Sequence, residues 1–263
     1  DLTNAIRLKP NYSDAYMLRC VISFETKKYQ ESIEDCSKAI AYATTNKWNS
    51  YYRRAILYER LKKYRQAIKD YSKVLELNPK MTYIYSIRGK LFQQIGEHTK
   101  AIEDFTKDIK SDSKDSTAYY NRGYSFGKLQ KYQKAIADYQ KVIELDKRNT
   151  NTFANLCQIY FLLGKNEQGK ENFKKAIALQ TKDTSLLAQL YFYAYTHIPE
   201  ERKKAKEQLQ QLIAKAKQKP LAKGWSFKEN IKKAEQDGHP DIENLKRFAN
   251  AITGEEFHLG SAR

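Results

Sequence analysis

With 263 residues the chain can bury a sizeable core, and 30 % charged residues with a mean hydropathy of −0.80 leave no apolar run long enough for a membrane-spanning helix. Only 10 Gly and 5 Pro interrupt a sequence rich in helix formers, which argues for an all-α protein. The net charge of +17 invites a nucleic-acid reading, yet residues 1–46 and 82–115 each hold 6 basic and 6 acidic groups while residues 47–81 hold 10 and 3, so the excess is a local patch on a lysine-rich surface.

In chain order, "DLTNAIRLKPNY" has no apolar signal segment, and residues 1–12 read as the tail of a helical unit that precedes residue 13. The compartment is left open by the sequence, with a cytoplasmic one favoured over others and any targeting segment lying ahead of residue 1. From Ser13 a period of 34 residues sets in, giving units at 13–47, 48–81, 82–115, 116–149 and 150–183. Counted within each unit, position 4 is Tyr16, Tyr51, Tyr85, Tyr119 and Phe153. Position 8 is small: Cys20, Ala55, Gly89, Gly123 and Cys157. Position 20 is small again (Ser32, Ala67, Ala101, Ala135, Gly169), and position 24 is Cys36, Tyr71, Phe105, Tyr139 and Phe173.

Positions 4, 8 and 11 fall on one helical stripe, and 20, 24, 27 and 28 on another. Each unit is therefore expected to be two amphipathic helices joined near positions 15–17. Small residues at 8 and 20 let the backbones approach, and the aromatics fill the space beside them. One helix pair cannot bury both of its apolar faces, so the units must stack. Pro10 and Pro79 sit at position 32, where one unit ends before the next begins. Cys20, Cys36 and Cys157 occupy packing positions, and packing rather than a disulfide is expected of them. They lack metal-ligand spacing and the four histidines are scattered, so no metal and no cofactor are expected.

Position 7 is Arg19, Arg54, Arg88 and Arg122, and position 23 is Asp35, Asp70, Asp104 and Asp138. In the fifth unit both change together, to Leu156 and Asn172. Two positions that vary as one across a helix pair predict an Arg–Asp bridge inside each unit. Asp108 stands at position 27, where the other units carry Ala39, Val74, Val142 and Ala176, and it needs a cationic or hydroxyl partner.

After Thr184 the pattern decays. Residues 184–218 read as a degenerate helix pair, in which Leu187 and Leu190 keep the stripe but Tyr191 replaces the small residue. Residues 219–263 read as capping helices and a tail. Ser226 with Glu229 offers a capping box, and Ile242, Leu245, Phe248, Ala249 and Ile252 give the last helix one apolar face before Gly254.

The large–small–large signature, in step over five units, resembles the tetratricopeptide repeat (TPR) family. A period of 34 rather than 35 separates it from the RNA-reading pentatricopeptide type. The resemblance implies an α-solenoid of TPR helix pairs, wound as a right-handed superhelix, with C-terminal capping helices. It implies a non-catalytic scaffold that binds an extended peptide segment of a protein partner in its concave groove. Positions 2, 5, 6, 9, 12 and 13 line the groove in this family, which nominates Tyr52, Arg53, Arg60, Tyr120, Asn121, Tyr124, Asn155, Phe161 and Phe192.

The carboxylate clamp by which some members hold chaperone tails needs Lys at position 5 and Asn at 9. Here those positions are Met17 and Val21, Tyr52 and Ile56, or Ser86 and Lys90, so the clamp is absent. The alternative reading is a nucleic acid or anionic ligand held by the basic patch of the second unit. No Gly-rich phosphate loop, nucleophile motif or paired carboxylates support an enzyme.

Overall fold

The computed structural model describes residues 2–216, 219–221 and 226–254. Among the described residues there are fifteen α-helices and no strand. After α1 (Leu2–Leu8), the five repeats supply α2 (Ser13–Glu25), α3 (Tyr29–Tyr42), α4 (Lys47–Arg60), α5 (Tyr64–Leu77), α6 (Tyr83–Gln94), α7 (His98–Ser111), α8 (Ser116–Lys128), α9 (Tyr132–Leu145), α10 (Thr150–Leu162) and α11 (Asn166–Ala178). Then come α12 (Thr184–His197), a 3-10 turn at Pro199–Glu201, α13 (Arg202–Lys215), α14 (Lys228–Gln236) and α15 (Ile242–Thr253). The sequence marks several of these starts. The Asp115 carboxylate accepts from the Thr117 and Ala118 amides, and Asp183 accepts from those of Ser185 and Leu186. The fold divides into two compact halves, residues 1–131 and 132–263.

In the N-terminal half, α2 packs on α3, α4 on α5 and α6 on α7, and each pair packs on the next. Ala55 and Ala67, the small positions of the second repeat, are fully buried beside Tyr71, whose hydroxyl donates to Glu59 at 3.0 Å. In the third repeat a Cβ on Gly89 would lie 2.9 Å from the Phe105 ring, so glycine is what admits the aromatic. In the first repeat the same two positions are Cys20 and Cys36, and they form a disulfide with Cα atoms 5.5 Å apart. This corrects the packing-only expectation. Positions 8 and 24 face each other across the pair, and two thiols placed there meet.

The turn between the helices of every repeat passes through position 15 in the left-handed region. Its φ is 62° at Lys27, 56° at Lys62, 77° at Gly96, 56° at Gln130 and 71° at Gly164. The turn closes as a Schellman motif: the Lys27 amide donates to Phe24 O and the Lys28 amide to Ser23 O.

The C-terminal half is built around one large apolar cluster. Phe153, Phe161 and Phe173 from α10 and α11 meet Leu190 and Phe192 of α12, joined by Phe227 and by Leu245 of α15. A Cβ on Gly169 would lie 2.5 Å from the Phe161 ring, the close approach of the third repeat again. The Ser226 hydroxyl accepts from the Lys228 amide at 3.4 Å. Helix α14 begins only at Lys228, one residue too late for Ser226 and Glu229 to form the expected capping box. The expected tail, residues 255–263, and residues 217–218 of the degenerate pair lie outside the described residues.

Candidate functional site

A polar lock repeats through the N-terminal half and fixes which side chains remain for a ligand. Arg19 bonds both oxygens of Asp35 at 2.8 and 2.7 Å, Arg54 those of Asp70 at 2.7 and 2.9 Å, and Arg88 those of Asp104 at 2.8 and 2.7 Å. The sequence correlation between positions 7 and 23 is a bidentate ion pair. A third member of the lock escaped the sequence reading. Arg54 also donates to Ser37 at 2.9 Å, Arg88 to Ser72 at 2.8 Å and Arg122 to Thr106 at 3.2 Å. Each hydroxyl sits at position 25 of the preceding repeat, so the arginine ties neighbouring repeats together. The signal was present: before the fifth repeat, where the arginine is Leu156, position 25 is Gln140 rather than Ser or Thr.

Arg53 is the contrast. It lies next to Arg54 on α4, is exposed, and forms no ion pair among the described residues. Arg60, two turns further on, is exposed with its guanidinium carbon 5.9 Å from the Phe24 ring centre. Phe24 joins Val21, Ile56, Leu57 and Cys20 around a small pocket of about 50 Å³, with Arg53 also on its lining. Tyr52 is half-buried, edge-on to Tyr71 and Tyr83 at centroid distances of 6.1 and 6.4 Å.

On α8, Tyr120, Asn121 and Tyr124 are all half-buried. The Asn121 carbonyl accepts from the Gln93 side chain at 2.8 Å, while its own amide group has no partner among the described residues. Tyr124 stands edge-on to His98 at 6.2 Å with Lys128 over its ring at 5.2 Å. Asp108 finds the expected hydroxyl in Ser86, but its Oδ2 is buried without a hydrogen-bond partner among the described residues. Burial first, and then the neighbouring Asp115 and Asp112, raise its carboxyl above the usual range, against the pull of Ser86 and Lys90.

The three nominated residues of the C-terminal half behave differently. Asn155 is half-buried and donates to the Tyr139 hydroxyl at 3.1 Å. Phe161 and Phe192, expected on the groove, are both 0 % exposed, and this is a correction. Phe161 stacks on His197 at 4.6 Å, and Phe192 stacks on Phe227 at 3.9 Å. The positional rule supposes that only helix pairs cover a repeat. Here His197 at the end of α12 and Phe227 just ahead of α14 cover the two rings. The stack leaves His197 with a buried Nε2 that has no hydrogen-bond partner among the described residues. Burial lowers its pKa from 6.5 to about 4, assisted by Lys233.

A family profile described as tetratricopeptide repeat matches residues 48–81 and 116–149, and a second with the same description matches residues 151–183. The chain carries tetratricopeptide repeats. Solved TPR structures share its fold. The C-terminal part of a TPR repeat-containing protein from Cytophaga hutchinsonii is 19 % identical, covers 81 % of this chain and 87 % of its own, and superposes with a TM-score of 0.66. YrrB, described as a TPR protein with an unusual peptide-binding site, is 17 % identical over 68 % of this chain and 92 % of its own, with a TM-score of 0.60. A tetratricopeptide repeat protein from Parabacteroides merdae is 21 % identical over 95 % and 89 %, with a TM-score of 0.56. No curated protein matches the chain by sequence.

The TPR architecture, an α-solenoid of helix pairs, is that of a protein-interaction scaffold, a class that is generally non-enzymatic. Among the described residues no helix is long and apolar enough to cross a membrane, and no cluster of three or more His, Cys, Asp or Glu could hold a metal ion.

Proposed function

We propose that this TPR protein is a non-catalytic interaction module whose groove side grips an extended peptide of a protein partner. The observation that carries the reading is the division of labour between Arg54 and Arg53. One is locked to Asp70, while its neighbour on α4, on the groove side of the register, is exposed and forms no ion pair among the described residues. The same distinction holds on α8, where the amide of Asn121 is free to bond a peptide backbone through both donor and acceptor. Tyr52, Tyr120 and Tyr124 add amphipathic surface of the kind enriched at binding hot spots. YrrB, with its described peptide-binding site, supplies a precedent for the use of this fold. Asn155 remains in the proposal, although its amide already engages Tyr139.

The competing reading is a nucleic acid or other polyanion on the basic surface of the second repeat. Selection of a random dodecapeptide display library on the immobilised chain separates the two. Peptides that bind the wild type are expected to lose at least about tenfold in affinity when Asn121→Ala is combined with Tyr124→Ser. Thermal stability should barely move. If those changes have no effect while about 0.5 M salt releases every binder, the polyanion reading wins.

A further inference from the structure

We infer that the pocket between α2 and α4 is a specificity subsite for a short aliphatic side chain bracketed by carboxylates, in a peptide drawn from an acidic protein segment. The inference rests on the peptide-groove reading and names the chemistry of its ligand. The pocket has depth with a largely apolar floor. Cys20 and Leu57, each 1 % exposed, form its base together with the buried Ser32, whose hydroxyl is spent on the Cys20 carbonyl at 2.6 Å, and the half-buried Val21, Phe24 and Ile56 stand higher. At about 50 Å³ it admits an isopropyl or sec-butyl group and excludes an aromatic ring or a nucleobase. The floor is fixed covalently, because Cys20 is tied to Cys36 on α3. A pre-formed pocket with a rigid base loses little on ordering when it is filled.

Charge decides what flanks the aliphatic group. Arg53 lies at the mouth and Arg60 holds Phe24 from the outer side. Neither has a carboxylate partner among the described residues, and the stretch around them, residues 47–81, carries 10 basic and 3 acidic groups. The two arginines are seven residues apart on one helix, so their Cα atoms are about 10 Å apart along its axis. An extended peptide advances roughly 3.3 Å per residue, so a chain lying in the crevice between α2 and α4 meets both guanidinium groups with acidic residues about three positions apart. The aliphatic residue falls between them. This is not the clamp of the chaperone-binding members, whose Lys and Asn positions are occupied here by Met17 and Val21 or by Tyr52 and Ile56.

The test uses the full chain and the random dodecapeptide library, followed by fluorescence anisotropy with a fluorescein-labelled synthetic copy of the most enriched peptide. The expected motif is Val, Ile or Leu with Asp or Glu on both sides. Val21→Phe and Ile56→Phe, which fill the pocket from opposite helices, should each weaken binding about tenfold. Arg53→Glu, an exposed change that leaves the core alone, should weaken it about as much and flatten its salt dependence. Far-ultraviolet melts identify any pocket variant that fails to fold, and Arg53→Glu then decides. Enriched peptides without the motif, or binding untouched by all three changes yet lost on Asn121→Ala with Tyr124→Ser, overturn the subsite and leave the groove reading standing. An oligonucleotide that displaces the peptide from wild type but not from Arg53→Glu also overturns it. Absence of any enriched peptide overturns both readings.

Discussion

The first three repeats and the C-terminal helices solve one packing problem by different means. Between residues 13 and 115 each helix pair is small and similar, and the pairs are joined by a polar device that recurs at fixed positions: arginine, aspartate and a hydroxyl from the repeat before. Among the described residues between 184 and 254 there is no such device. Ring contacts do the joining, Phe192 stacked on Phe227 and Tyr195 edge-on to Phe248, inside one continuous apolar cluster. The difference matters for function. The polar lock leaves Arg53 and Arg60 of α4 exposed and Tyr120, Asn121 and Tyr124 of α8 half-buried. The apolar core instead buries the two phenylalanines that the register alone would have placed in a binding site.

If the lock is structural, breaking it should produce the largest effect. Arg88 and Asp104 have side chains 15 % and 2 % exposed. Arg88→Leu strands the Asp104 carboxylate in a dry site and releases Ser72, so unfolding free energy should drop by about 3 kcal/mol in chemical denaturation. The double change Arg88→Leu with Asp104→Asn, which copies the Leu156 and Asn172 of the fifth repeat, should recover more than half of that loss. Asn172 shows how the copy works: its amide donates to the Gln168 carbonyl of its own helix at 2.8 Å and needs no arginine. A double mutant no better than the single one would mean that the lock is specific to its repeat and that the fifth repeat is no guide to the others.

How much of this was legible in the sequence follows the range of each interaction. The register, the helix pairs and the Arg–Asp bridges depend on residues within one period, and the repetition displayed each of them several times. The hydroxyl at position 25 was equally periodic, but it bridges two repeats and so required pairs of units to be compared. Phe161 and Phe192 failed for another reason. Their covering partners, His197 and Phe227, lie in non-repeating sequence where no second copy reveals the contact. The Cys20–Cys36 disulfide was half legible. The register placed the two residues face to face, but position alone does not distinguish two packed thiols from a bond. Of the candidate ligand residues, those on α4 and α8 kept the exposed or half-buried places that the register gave them, because the repeats around them are regular.

Acid should expose the second difference between the regions. The folded-state pKa of His197 is lowered to about 4 from 6.5 by burial against Phe161, so the unfolded chain takes up a proton first as pH falls. Stability of the C-terminal half is therefore complete above about pH 6.5, declines as pH falls toward 4, and declines no further from this group below that. The loss is on the order of 3 kcal/mol. The charged groups near the ring give a mixed field, with Lys233 and His239 opposing the proton and Asp237 favouring it. Replacing His197 by Phe keeps the stack and removes the titration. The variant's melting temperature should then be flatter between pH 6.5 and 4 than the wild type's, and identical slopes would move the acid sensitivity elsewhere.

The smallest effect concerns a feature shared by all five repeats, and it tests whether they are energetically equivalent. Position 15 lies at positive φ in each, yet only Gly96 and Gly164 are glycines. Lys27, Lys62 and Gln130 hold the same conformation with a Cβ that crowds the adjacent carbonyl, which costs about 1 kcal/mol at each site. Glycine removes that strain but gives back part of the gain through the greater freedom of the unfolded chain. Lys62→Gly should therefore stabilise the protein by about 0.5 kcal/mol, and Lys27→Gly by the same amount if the two turns are equivalent. Both lysines are exposed and make no ion pair among the described residues, so no lost contact confounds the comparison. The measurement is a shift in the denaturant midpoint at constant slope. A larger gain at Lys27 than at Lys62 would show that the disulfide has already restricted the unfolded ensemble around the first turn, since the bridge from Cys20 to Cys36 encloses Lys27 and so reduces the freedom that glycine returns to the unfolded chain there.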